Sequence, residues 1–234
     1  MAHAHSLSGP RRRRGHNPLA APLLLFAVVL AGAVAYVGYV LWPRWPEAPL
    51  GHDTPALPII IAGEHFVVEP AAIRMAVQRR PGTQDRTDLA YAWPDLAPAA
   101  RMPSPAPAAH TKFPERLFVT IQAANGTLPP IERVEMIYPR YLVAEPVAGP
   151  AGLTLRGFRE HTPYEGEELA FDAQAPTHFL ARCTRHGPAG PGHCLLERRI
   201  GDADLTFRFA RDWLSDWRKV ADAIDALTKR LHPR

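Results

Sequence analysis

The stretch Arg159–Glu168, REHTPYEGEE, concentrates the side chains of this 234-residue chain that are best suited to acid–base or metal chemistry. His161, Tyr164, Glu165, Glu167 and Glu168 could form a general acid–base group or a metal-binding cluster, because imidazole and carboxylate serve both tasks. Pro163 and Gly166 interrupt the same stretch between two expected strands, the composition of a solvated connection. The loop is the preferred reading, and no metal or cofactor is assigned to it.

The two cysteines are the second chemical feature. Cys183 and Cys194 flank ten residues rich in Gly and Pro that include His186 and His193. Cys-x2-His followed by His-Cys could in principle ligate zinc. Adjacent His193 and Cys194, however, are poorly placed to point at one tetrahedral centre from the start of a strand. Two strands joined by this loop can bring the sulfurs together, so a disulfide is expected, contributing about 3 kcal/mol by loop entropy. A redox-active pair is disfavoured because there is no Cys-x-x-Cys.

Other chemistry is missing from the sequence. There is no Gly-x-Ser-x-Gly elbow, phosphate loop, dinucleotide fingerprint or His-Glu-x-x-His. Ser104 lies in a Pro-rich stretch and Ser215 inside an expected helix, so a serine nucleophile is nearly excluded. His65, His110 and His178 are isolated, and His3 and His5 belong to an expected flexible tail.

Charge narrows the partners. The net charge is +4, yet no acidic residue precedes Glu47, and four consecutive arginines, Arg11, Arg12, Arg13 and Arg14, account for the whole excess. The remainder carries 23 basic residues against 23 acidic ones, which removes the uniformly basic face expected of a nucleic-acid binder. The arginine quartet suits the anionic cytoplasmic leaflet instead.

Residues 19–42 are read as a transmembrane helix. Leu23–Trp42 carries no charge, and about twenty helical residues span about 30 Å of hydrocarbon. Arg11, Arg12, Arg13 and Arg14 outweigh the lone Arg44 across this segment and set the expected topology. Residues 1–18 are thus expected in the cytoplasm and the rest outside it. In a bacterial cell that means a single-pass inner-membrane protein with a periplasmic domain. Cleavage after Ala35, as in a signal peptide, is the competing reading, but apolar sequence continues to Trp42. Ala27, Ala31 and Ala35 with Gly38 would also allow a close helix–helix contact, although small residues are common in such helices.

The exported part reads as α+β. Residues 43–58 form a Pro-rich spacer, 59–234 the domain, and 94–114 a Pro/Ala-rich internal loop or linker. Ile59–Ile61 and Phe66–Val68 are expected strands around a Gly63 turn. A helix is expected over 70–79, with Ile73 and Val77 buried and Pro81-Gly82 ending it. Strands follow at Leu89–Trp93 and Leu117–Ile121, a turn at Asn125-Gly126 and a short helix from Pro130. Five short strands between Leu153 and Phe209 suggest an antiparallel meander. Trp213, Trp217, Val220, Ile224, Leu227 and Leu231 then make one apolar stripe on a closing helix, Asp212–Leu231, capped by Asp212.

These features point to a binding or assembly role, as an accessory subunit of a cell-envelope complex. The expected partners are the lipid bilayer and another envelope protein, with no nucleic acid. The alternative is an envelope hydrolase or metal-dependent enzyme using the His161–Glu168 loop. Reporter fusions after Trp45 and Arg234 test the topology: alkaline phosphatase is expected to be active at both positions and a cytoplasm-dependent fluorophore dark. The reverse pattern would reject this orientation.

Overall fold

Alternation along Ala203–Ala210 divides the domain into a dry side and a wet side. Leu205, Phe207 and Phe209 are at most 2% exposed, whereas Thr206 and Arg208 between them turn toward solvent. A computed structural model describes residues 20–41, 54–99, 115–187 and 190–233. Its first elements are α1 (Ala20–Leu41), β1 (Leu57–Ile61), β2 (Glu64–Val68), β3 (Gly82–Thr83), β4 (Arg86–Ala92) and β5 (Arg116–Ala123). They are followed by α2 (Pro130–Met136), β6 (Val147–Ala148), β7 (Thr154–Gly157), β8 (Glu167–Phe171) and β9 (Leu180–Thr184). The chain closes with β10 (His193–Ile200), β11 (Ala203–Ala210) and α3 (Trp217–Leu231).

The fold is α+β. Eight strands form one sheet of order β4-β5-β11-β10-β9-β8-β7-β6, antiparallel throughout. From β6 to β11 it is a continuous meander, as the short spaced strands of the sequence imply. A smaller sheet, β2-β1-β3, begins with a hairpin whose two turn residues, Ala62 and Gly63, both have positive φ (52° and 84°). That geometry matches the twist of the flanking strands and suits a glycine at the second position.

The dry face is covered by both remaining layers. Trp217, Val220, Ile224, Leu227 and Leu231 of α3 and Ile59, Ile61, Phe66 and Val68 of the small sheet share one core with the large sheet. Trp213 stacks on Trp93 with centroids 4.4 Å apart and on Phe209 at 5.9 Å, closing one end. Among the described residues the wet face is covered only in part. A second, smaller cluster of Tyr138, Leu142, Phe158 and Leu169 packs there beside Val134 of α2. The edges of the large sheet are short or occupied: β6 has two residues, and the outer side of β4 forms single bridges through Ile73–Leu89 and Pro98–Tyr91.

Two local expectations fail. Residues 70–79 do not form one helix; two single 3₁₀ turns, Pro70–Ala72 and Ala76–Gln78, flank an extended Ile73. Ile73 is buried and bridges Leu89, so pairing at the sheet edge wins over a weak helical period. Val77 is consequently 74% exposed rather than buried, and Gly82 continues into β3 beside β1. The closing helix also starts later than expected. Arg211–Asp216 is a 3₁₀ segment that buries both Trp213 and Leu214, and Asp212 does not cap the α-helix that begins at Trp217.

α1 belongs to a separate unit, residues 1–47, and the remainder of the chain forms the other. Among the described residues it is the helix long and apolar enough to cross a membrane, as an anchor or as a signal segment. The four topology residues, Arg11, Arg12, Arg13 and Arg14, lie outside the described residues. So do residues 43–53 of the spacer and 100–114 of the Pro/Ala-rich stretch.

Ile224→Ala should cost about 2–5 kcal/mol in urea unfolding, the range for emptying a packed site. Val77→Ala should stay within about 0.5 kcal/mol, as an exposed position does.

Candidate functional site

The polar stretch 159–168 does not converge. His161, with φ +60°, is exposed on the connection leading into β8, and its backbone N–H donates to Glu165 Oε2 at 2.9 Å. Tyr164 folds inward, its ring 4.8 Å from Phe158 and 5.2 Å from Tyr138 by centroid. Glu167 and Glu168 open β8 and therefore leave it on opposite faces. Glu167 pairs with Arg182 on the wet face. Glu168 is 5% exposed and accepts from Arg185 at 3.3 Å and from Arg211 Nε at 3.0 Å. Its carboxylate ties the segments after β9 and β11 together. Among the described residues no group of three or more His, Cys, Asp and Glu side chains is placed to hold a metal.

The cysteines and their neighbouring histidines separate in the same way. Cys183 and Cys194 are directly opposite in the β9–β10 register, buried, with Sγ atoms at the disulfide-bond distance of 2.00 Å. His193 sits one residue before Cys194 and faces the other side, its ring 3.1 Å from the Thr184 hydroxyl. Burial, with the nearby charges of Arg208 and Arg182, holds the His193 imidazole below its usual pKa and keeps it neutral near pH 7. His186 lies outside on the loop, 3.2 Å from Asp212.

Beyond the reach of α2, the wet face carries a different grouping. Phe118 of β5 stands in register with Ala90 of β4 and Arg208 of β11. The guanidinium carbons of Arg208 and Arg74 each lie 4.9 Å from the centre of its ring. Arg74, Arg79 and Arg116 line a cavity of about 260 Å³ with Ala72, Ile73 and Ala90. Arg79 is committed to the structure, donating from two nitrogens to the Ile73 carbonyl at 3.1 and 3.0 Å. The Arg116 Nε–H is buried with no hydrogen-bond partner among the described residues.

Ion pairing elsewhere on this face makes the grouping distinctive. Arg133 pairs with Glu197 at 2.6 Å, Arg182 with Glu167, and Arg199 with Asp204 at 2.8 Å. Asp88 is the nearby carboxylate, but it already accepts from Arg86, from Gln78 at 3.2 Å and from Thr120 at 2.9 Å. Burial pushes the Asp88 pKa up, and these hydrogen bonds more than offset it, leaving it below the usual carboxylate range. Asp88 is thus an ionised, engaged acceptor. Arg74, Arg116 and Arg208 have no carboxylate partner among the described residues. Guanidinium groups held over an aromatic ring offer forked N–H donors that match carboxylate geometry.

Sequence reasoning missed this patch because its members come from three distant segments. Arg208 alone is legible in the sequence, as a polar position alternating with Leu205, Phe207 and Phe209. Glu168→Gln should lower stability by about 1.5–3 kcal/mol in urea unfolding, since a buried acceptor of two arginines loses its charge. His161→Ala and Glu165→Ala, on the exposed connection, should each cost less than about 1 kcal/mol.

No protein-family model matches this chain, and no curated protein matches it. Among solved structures, an immunity protein of the Stenotrophomonas maltophilia type IV secretion system has a similar fold, with a TM-score of 0.50. The alignment covers 82% of this chain and 100% of that one, at 14% sequence identity, and the likeness is therefore one of fold.

Proposed function

We propose that this protein is an immunity-type binding protein of the cell envelope, which engages and neutralises a protein partner reaching the periplasm. In this reading α1 is an uncleaved anchor in the inner membrane, Arg11, Arg12, Arg13 and Arg14 hold the N-terminus in the cytoplasm, and the folded domain stands outside. The observation that carries the reading is the match to an immunity protein across 100% of that protein's length. The disulfide-distance pair Cys183–Cys194 fits an oxidising compartment. A core on one side of the sheet, with part of the other face uncovered among the described residues, suits a binding module. Catalysis by the His161–Glu168 stretch gains no such support, because Glu167 and Glu168 are each taken up by arginines on opposite faces.

Crosslinking in intact cells followed by mild-detergent purification should recover a stoichiometric protein partner. A strain lacking the protein should be outcompeted about tenfold or more by its parent in surface co-culture and be restored by the full chain. Recovery of monomer alone together with equal fitness would reject the proposal.

A further inference from the structure

We infer that the wet face formed by β4, β5 and β11 is the docking surface, and that it receives an acidic segment of a protein partner, with a carboxylate side chain entering the cavity between Arg74 and Arg116. The inference rests on the binding reading above and adds where contact occurs and what chemistry the partner must present.

Three observations lead to it. Arg74, Arg116 and Arg208 gather about Phe118 and the adjoining cavity without a carboxylate of their own among the described residues, whereas Arg133, Arg182 and Arg199 on this face each have one. The buried Arg116 Nε–H has no acceptor among the described residues, which is also true of Arg133 and Arg182. Arg116 alone of the three lacks a carboxylate partner there, so an incoming carboxylate would give its guanidinium one. The cavity of about 260 Å³ is large enough for the end of an Asp or Glu side chain, and Arg74 and Arg116 in its lining have no carboxylate partner among the described residues.

The composition is that of an interface centre. Arginine and aromatic side chains dominate binding energy where they are rigid and partly desolvated, and here the ring fixes two of the guanidiniums. An acidic protein segment is favoured over an anionic membrane surface by shape. Phe118 and Arg116 are half-buried within a sheet face and interleaved with Thr120, Thr206 and the ionised Asp88. A flat layer of lipid headgroups would meet protruding cations and would not reach the recessed Arg116, whereas a side chain projecting from a protein segment can.

The test uses the full chain in phosphatidylcholine nanodiscs and fluorescein-labelled poly-L-glutamate, followed by anisotropy across a salt series. Salt-sensitive binding is expected, weakened about tenfold or more by Arg74→Gln with Arg208→Gln. Phe118→Leu should weaken it several-fold while leaving thermal unfolding nearly unchanged. Arg140→Gln with Lys229→Gln removes the same charge elsewhere on the surface and should change affinity less than twofold. Absence of binding, an equal loss in this control pair, or preferential association with phosphatidylglycerol vesicles would each overturn the inference. Should the peptide fail to bind while the co-culture phenotype and stoichiometric partner persist, the face is wrong and the binding reading survives.

Discussion

The architecture depends on the separation of the two faces of one antiparallel sheet. Leu117, Val119 and Ile121 of β5 and Leu205, Phe207 and Phe209 of β11 all point to one side, where α3 and the small sheet cover them. Burying each such side chain contributes about 1.5–3 kcal/mol, so a register slip by a single residue would expose the whole set. Register is therefore strongly determined, and it decides the chemistry as well. It puts Cys183 opposite Cys194, sends Glu167 and Glu168 apart, and sets Arg208 beside Phe118.

Much of this architecture is legible in the chain itself. The meander from Leu153 to Phe209, the hairpin at Gly63 and the apolar stripe of the closing helix follow from periods of two and 3.6 in the sequence. Segments where local preference is weak are not. Residues 70–79 carry a plausible helical spacing, but Ile73 gains more by bridging Leu89, and Val77 is left in solvent. The start of the closing helix tightens into a 3₁₀ turn because the adjacent Trp213 and Leu214 both face the core. The arginine–aromatic patch is illegible for another reason: position on a face reveals side-chain direction, but not which distant strand supplies the neighbour.

Charge shows the same gap between sum and arrangement. Equal numbers of acidic and basic residues after Arg14 describe a neutral domain. Within it, Glu197, Glu167, Asp204 and Asp88 are consumed by neighbouring arginines, so the surplus guanidiniums near Phe118 meet no counter-charge among the described residues. The low pKa of His193 reflects burial first and the Arg208 and Arg182 charges next. A neutral total thus argues against binding a polyanion along its length, yet leaves room for one localised, directional contact.

The margins of the large sheet carry a further consequence. A two-residue β6 at one border and bridges from Ile73 and Pro98 along the other leave little ribbon on which a foreign chain could continue the ladder. Templated fibril growth and swapping between copies both begin on such ribbons. Among the described residues the borders of this sheet thus offer a visitor less backbone than its broad face does.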